Sequence, residues 1–156
     1  MDISSSAQFA ADPDRVYAMM TDRAYLEEVC RATEASTYEV SVVGPKTRST
    51  RSLKAPASAA KFTGPELTVV EEVTWGAGEG GGTRTGKVTM TIPGQPVTMN
   101  GTMRIAPAGP GTVLSLDGVL KVAIPLLGKK LEESAAPAVM AGFRTHQKVG
   151  DRWLAV

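Results

Sequence analysis

The chain has 156 residues, with 17 Lys or Arg against 16 Asp or Glu, so its formal net charge at pH 7 is only +1. This balance excludes a global electrostatic attraction to nucleic acid or to an acidic membrane surface. The length is that of one ordinary domain, and we expect residues 1–156 to fold as a single domain around one core. Partner choice must therefore depend on local features, and no nucleic-acid partner is expected.

One cysteine, Cys30, excludes an intrachain disulfide and a structural zinc site, and one histidine, His146, excludes a multi-histidine metal site. The first residues lack the basic and apolar segments of a secretory signal, and no apolar run reaches membrane-spanning length. We therefore expect a cytoplasmic protein. We also expect it to be a monomer or a weak homodimer. No metal ion, no other cofactor and no stable membrane insertion are expected.

The first part of the chain predicts a strand followed by two short helices. The strand covers residues 3–10. Asp12 precedes Pro13, which is typical of a helix start because Asp accepts hydrogen bonds from free amides and Pro suits the first turn. Thr21 and Asp22 predict the start of a second helix, which carries apolar residues at helical spacing.

Strand-like segments occupy most of the chain from residue 36 to residue 124. Residues 38–42 and 46–53 flank a Gly-Pro turn and predict a pair of strands at the sheet edge. Residues 54–65 predict an irregular connection. Four further runs alternate between apolar and polar residues, which is typical of half-buried strands. These runs are residues 66–75, 84–93, 97–105 and 114–124.

The alternation also predicts the pairing of these strands. Short turns place Met90 opposite Met99 and Ile105 opposite Leu114, with all four side chains on the inner face. A symmetric hairpin through residues 76–83 would place Trp75 opposite Arg84, Val69 opposite Met90 and, on the outer face, Glu72 opposite Lys87. One inner-face row would then contain Glu71, Val88, Gly101 and Gly118.

A long amphipathic helix is predicted over residues 125–149 and would cover this apolar face. Its apolar stripe recurs every four residues, at Leu127, Leu131, Ala135, Val139 and Phe143. The middle, residues 134–138, has little side-chain volume, and Pro137 removes one helical hydrogen bond and predicts a kink. Small residues on both the helix and the Gly101–Gly118 row have two interpretations: they leave a cavity, or they let helix and sheet approach closely.

The whole pattern resembles the helix-grip fold of the START-like or SRPBCC superfamily, and within it a bacterial branch described as a domain of unknown function. The residues that carry the resemblance are 12–17 (DPDRVY), 67–75 (LTVVEEVTW), 124–128 (IPLLG) and 151–154 (DRWL). It implies an α+β fold, with a curved antiparallel sheet of six or seven strands wrapped on the C-terminal helix. It also implies a hydrophobic pocket between sheet and helix, because better-known members bind lipids, polyketides or other small apolar molecules.

Glu71 is the main polar candidate, because its neighbours on the inner face of the strand are apolar. A carboxylate there must find a partner, stay partly hydrated or keep its proton through a raised pKa. It would either hydrogen-bond a ligand or form an ion pair with an inward arginine, with Arg51 and Arg84 as candidates. Arg84 itself is predicted to lie across the ring of Trp75.

Other motifs have simpler interpretations. Residues 81–88 approach a phosphate-binding loop, but Val88 replaces the residue that would hold magnesium, and a strand pattern follows where a helix should begin. His146 lies at the edge of the helix's apolar stripe and has no nucleophile assigned to it. Cys30 is predicted to be a small buried apolar residue. Met90, Met99, Met103 and Met140 are predicted to face the pocket.

We therefore predict a domain that binds or transports a small hydrophobic molecule, without assigning a catalytic residue. The predicted ligand-binding residues are Glu71, Val73, Trp75, Arg84, Val88, Met90, Met99, Gly101, Met103, Leu116, Gly118, Ala135, Val139 and Phe143. One alternative is an enzyme of the polyketide cyclase or dehydratase type, in which Glu71 would act with Tyr38, Arg84 or His146. The other is a closed domain that acts only in protein interaction.

Overall fold

A computed structural model describes residues 1–155 and contains seven strands and four helices in that range. The strands and helices have the following bounds in chain order: β1 (Asp2–Phe9), α1 (Pro13–Met20), α2 (Arg23–Ala32), β2 (Thr37–Val43), β3 (Lys46–Lys54), α3 (Ala60–Thr63), β4 (Glu66–Trp75), β5 (Arg84–Thr91), β6 (Val97–Ala108), β7 (Gly111–Val122) and α4 (Gly128–Leu154).

The seven strands form one antiparallel sheet in the order β1-β7-β6-β5-β4-β3-β2. The predicted edge pair is confirmed, because β2 lies at one edge and pairs only with β3. The predicted registers of β5 with β6 and of β6 with β7 are also correct: Met90 pairs with Met99 and Ile105 with Leu114. With α4 beside this sheet, the α+β helix-grip architecture is confirmed.

The predicted register of β4 with β5 is wrong by two residues. Trp75 pairs with Gly86 and Glu71 with Met90, so Arg84 extends beyond the β4 pairing. The loop between the strands is not symmetric: Gly76 donates to the Thr85 carbonyl, and glycines 80–82 all have positive φ. Because the shift is even, the inward residues stay inward, but Glu71 leaves the glycine row for the row of Met90 and Met99.

The shift also removes the predicted pair of Glu72 and Lys87. Glu72 instead faces Arg48 on the neighbouring strand β3, accepts a hydrogen bond from its guanidinium and lies 3.5 Å from the Lys46 ammonium. On the outer face, the positive charges beside Glu72 therefore come from β3 and not from β5.

Local capping explains where the two short helices begin. The Asp12 carboxylate accepts a hydrogen bond from the Arg15 amide at 2.9 Å, and Pro13 occupies the first turn. The Asp22 carboxylate accepts hydrogen bonds from the amides of Ala24 and Tyr25 in the same way. Both predicted helix starts are confirmed, and each capped end satisfies amides that have no partner within the helix.

Helix α4 begins and ends later than predicted, at Gly128 and Leu154 instead of residues 125 and 149. Leu126 has a φ of +68°, which ends the extended chain before the helix starts, and Pro137 lies within the helix. The helix packs most closely on β1, β7 and α2. The strands farther along the sheet, β3 to β6, stand farther from it, and this spacing positions the site described next.

Candidate functional site

A cavity of about 190 Å³ lies between α4 and the inner face of the sheet, over strands β3 to β7. Its wall is mainly apolar. The connection between β3 and β4 closes one side through Pro56, Ala59 and Phe62, and the β5–β6 turn contributes Gln95 and Pro96. The predicted pocket between sheet and helix is therefore present as a cavity.

Nine of the fourteen predicted ligand-binding residues lie on the cavity wall, and the other five do not. The nine are Glu71, Val88, Met90, Met99, Met103, Leu116, Ala135, Val139 and Phe143. The five are Val73, Trp75, Arg84, Gly101 and Gly118. Met140, which was also expected to face the pocket, does not line it.

The two glycines are absent from the wall because neighbouring strands fill the space above them. A Cβ atom on Gly101 would overlap the backbone carbonyl of Asp117 and lie 2.7 Å from the Gly118 Cα. A Cβ on Gly118 would lie 2.8 Å from the Met99 sulfur. At this row the absence of side chains leaves no void, and the close approach is between adjacent strands and not, as predicted, between helix and sheet.

Trp75 and Arg84 lie at a packed end of the sheet. The Trp75 ring meets Tyr17 of α1 edge-to-face, with centroids 5.9 Å apart, and a Cβ on Gly86 would lie 2.9 Å from the indole. Arg84 stacks on Tyr17 at 3.9 Å and not on Trp75, and it donates to the Gly76 carbonyl. Val73, also buried, lies beside the indole. This end is closed core because α1 covers it.

The small residues of α4 have the opposite effect. Ala135 and Ala138 line the cavity, as does Gly142 one turn later. Ser134 donates to the Ser58 hydroxyl at 2.6 Å, which links α4 to the β3–β4 connection. The cavity interpretation is therefore correct for this part of the helix.

Glu71 has the partner that the ion-pair interpretation predicted. The Arg51 Nη2 lies 3.7 Å from the Glu71 Oε2, and the two side chains are 10% and 20% exposed. Arg51 pairs with Val69 across β3 and β4, so Glu71 is its diagonal neighbour on the same face. The contact is longer than a hydrogen bond, and the Arg51 Nε is buried without a partner in residues 1–155.

His146 joins these residues on the cavity wall. The Tyr25 hydroxyl lies 3.1 Å from the His146 Nδ1 and 2.9 Å from its carbonyl oxygen. Burial lowers the pKa of His146 to about 4; the Glu71 carboxylate opposes this effect and the Arg51 guanidinium adds to it. The imidazole is therefore neutral at pH 7.

Two further titratable groups lie behind this wall, and both are neutral at pH 7. Burial raises the pKa of the Tyr25 phenol, and the negative charge of Asp151 raises it further. Burial also raises the pKa of the Cys30 thiol, although the nearby Arg51 opposes the shift. Cys30 is buried and free, as predicted.

From the sequence alone, two polar residues of the cavity wall were not predicted to line the pocket. Arg51 was considered only as an ion-pair partner, although Thr47, Ser49, Arg51 and Leu53 alternate in a way that places them on one face. His146 was placed at the margin of the helix stripe, although it lies three residues after the lining residue Phe143. Tyr38, by contrast, accepts a hydrogen bond from Arg31 at 2.7 Å, outside the cavity.

Residues 1–155 contain no group of three or more His, Cys, Asp or Glu side chains arranged to hold a metal ion. In the same range, no helix has an apolar stretch long enough to cross a membrane.

Solved structures with the same fold come from several bacteria. The chain matches TTHA0849 from Thermus thermophilus with 21% identity and a TM-score of 0.67, covering 97% of this chain and 95% of that one. It matches a STAR-related lipid transfer protein fragment from Xanthomonas axonopodis with 15% identity and a TM-score of 0.66, covering 99% and 86%. A START superfamily protein from Mycobacterium smegmatis matches with 13% identity and a TM-score of 0.59, covering 98% of both chains.

These similarities show a shared fold, and the resemblance to START-like proteins is confirmed at that level. No curated protein has significant sequence similarity to the chain. The sequence of residues 4–154 matches one family along almost its full length. The chain belongs to the family described as "Protein of unknown function (DUF2505)".

Proposed function

We propose that this protein binds a small hydrophobic molecule in the cavity between the sheet and α4. The observation that carries the proposal is the cavity itself, because protein interiors are packed to high density and an apolar void costs stability. Its wall contains side chains of Met, Val, Leu and Phe, which suit an apolar ligand of irregular shape. The fold shared with a lipid transfer protein supports the same proposal.

The direct test is native mass spectrometry of freshly purified protein, followed by extraction and identification of any bound molecule. A second arm measures calorimetric binding of neutral apolar molecules of increasing size. Ala135→Leu should reduce binding at least tenfold because Ala135 lines the cavity. Ala141→Leu adds the same atoms to an exposed position on the same helix and should leave binding unchanged. Equal binding by both variants would contradict the proposal.

A proton-transfer enzyme is the second candidate, favoured by the presence of Glu71 and His146 on one cavity wall. The lowered pKa of His146 makes it a weak base at neutral pH, so binding remains the better-supported function. Any molecule identified by extraction should therefore be recovered unchanged after prolonged incubation with excess protein. Conversion of that molecule, lost in Glu71→Gln, would establish the enzyme instead.

A further inference from the structure

The cavity has a deep end and a mouth, which differ in exposure. The deep end is formed by buried residues: Val88, Met103, Leu116 and Phe143. At the mouth, Phe62 is 45% exposed, and Pro96 and Ala138 are also exposed. A ligand would therefore enter past the β3–β4 connection and end against the buried wall.

Three polar side chains on the cavity wall, Arg51, Glu71 and His146, are also largely buried. The Arg51 Nε–H has no acceptor among the described residues, and its side chain is only 10% exposed. Its Nη2 lies 3.7 Å from Glu71, so this contact does not complete the hydrogen bonding of either group. The Nε atom is buried from the cavity as well, so a ligand atom would accept from the Nη groups, whose 3.7 Å contact with Glu71 leaves them able to donate.

His146 supplies an acceptor to the same region. The Tyr25 hydroxyl has one hydrogen, and the His146 carbonyl oxygen can only accept, so the hydroxyl donates to the carbonyl. The contact between Tyr25 Oη and Nδ1 then requires the hydrogen on Nδ1. Nε2 is left as the acceptor of a neutral ring that lines the cavity.

The charges of this region cancel. Arg51 carries one positive charge and Glu71 one negative charge, while the imidazole, the Cys30 thiol and the Tyr25 phenol are neutral. A carboxylate or phosphate entering this space would meet the Glu71 carboxylate and compete for an arginine that is already paired. A neutral group that both accepts and donates a hydrogen bond fits without such a cost, and a hydroxyl group is the simplest.

The volume limits the size of the molecule. The cavity measures about 190 Å³, whereas most ligand pockets measure roughly 300–1,000 Å³. An apolar cavity of about 150 Å³ binds one benzene molecule. A lipid with two acyl chains therefore does not fit, and a molecule with one or two rings does.

We propose that the ligand is a compact neutral alcohol or phenol, of roughly eight to eleven non-hydrogen atoms, which enters with its hydroxyl group first. The hydroxyl oxygen accepts from the Arg51 guanidinium, and its hydrogen is donated to Glu71 or to Nε2 of His146. The apolar body fills the space below Ala135 and Val139. This inference rests on the proposed function and specifies the class and orientation of the ligand.

The test compares 2-naphthol with naphthalene, 2-naphthoate and a two-chain phosphatidylcholine, by calorimetry at pH 7. We expect 2-naphthol to bind about tenfold more tightly than naphthalene, because hydrogen bonds to charged groups are involved. Glu71→Gln should reduce this preference severalfold with little effect on naphthalene. Glu72→Gln is the matched control, since its side chain lies on the outer face beside Arg48 and Lys46.

The single histidine gives a second readout that needs no variant. Addition of 2-naphthol should shift the ring resonances of His146 in NMR spectra more than naphthalene does. Equal affinities for 2-naphthol and naphthalene, or tighter binding of 2-naphthoate, would overturn the inference while leaving cavity binding intact. Comparable binding of phosphatidylcholine would overturn the size limit. Failure of every probe to bind would instead count against the proposed function.

Discussion

Two parts of the molecule both contain small residues, yet they differ in what those residues do. In the closed part, on β6 and β7, Gly101 and Gly118 allow adjacent strands and the Met99 side chain to fill the space. In the open part, Ala135, Ala138 and Gly142 of α4 face a cavity. A missing side chain therefore produces contact where another chain segment is close enough to move in, and a void where it is not.

The helix position explains this difference. Helix α4 lies against β1, β7 and α2, so it cannot also approach β3 to β6. The glycine pair lies on β6 and β7, where strand backbones meet directly, and the packed end around Trp75 and Arg84 is closed in the same sense. Substitutions at Gly101 and in the alanines of α4 compare a packed position with an open one, acid tests the open part alone, and Arg84 tests the closed part alone.

The largest effect is expected for Gly101→Ala. The added methyl group would overlap the Asp117 carbonyl, and backbone atoms cannot move as cheaply as a side chain. We expect the free energy of unfolding to fall by about 3 kcal/mol. Gly142→Ala is the control in the open part, where the new Cβ would lie 3.7 Å from Arg51 Nη2. Urea unfolding should show no loss there, because Ala also favours the helix by about 0.5–1 kcal/mol; equal losses would contradict the comparison.

Acid should affect the open part through His146. Its pKa is about 4 in the folded protein, against 6.5 for a free histidine. Between these pH values the unfolded chain binds more protons, so the free energy of unfolding falls as the pH is lowered from 6.5 towards 4, by at most about 3 kcal/mol. No such contribution exists above pH 6.5. His146→Asn should flatten this part of the profile in urea titrations, and an unchanged slope would remove His146 as its cause.

A moderate effect is expected from adjacent alanines on α4. Ala136 is 2% exposed in packed core, whereas Ala135 lines the cavity. Ala136→Leu should destabilise the fold by about 2 kcal/mol through overpacking. Ala135→Leu should leave stability unchanged or higher while blocking the cavity. Thermal unfolding of the two variants measures this difference, and a larger loss for Ala135→Leu would show that the cavity wall cannot accept the added volume.

The smallest effect concerns Arg84 in the closed part. Its guanidinium lies over Tyr17, and Arg84→Ala should cost about 0.5–1 kcal/mol. Lys87→Ala, at an exposed position of the same strand, is the control and should be nearly neutral. Ligand affinity should not change in either variant, because neither residue lines the cavity. Weaker binding by Arg84→Ala alone would show that Arg84 contributes to the candidate site.

The sequence predicted which side chains lie on each face of the sheet better than it predicted which residues pair across neighbouring strands. The alternation around Met90, Met99 and Met103 determines which side chains point inward, and the short β5–β6 turn determines one register. The loop after Trp75 is held by local backbone hydrogen bonds that no alternation encodes, so the predicted β4–β5 register was wrong by two residues. That error assigned Glu71 to the glycine row instead of the row of Met90 and Met99.

The candidate site was harder to predict for the same reason. His146 and Arg51 lie far apart in the sequence, and only the packing of α4 and α2 beside the sheet brings both to the cavity. The distinction between a void and a close approach depends on distances between segments. Residue types at Gly101 and Ala135 carry no information on those distances.

The hydrogen bond between Ser134 and Ser58 has a kinetic consequence. It joins α4 to the connection that borders the cavity mouth, and it is exposed to solvent. An exposed hydrogen bond between hydroxyl groups exchanges readily with water, so its loss costs only about 1 kcal/mol. We therefore expect the residence time of a bound molecule to depend on its own buried apolar area. Release of a bound molecule would then require no unfolding of the sheet.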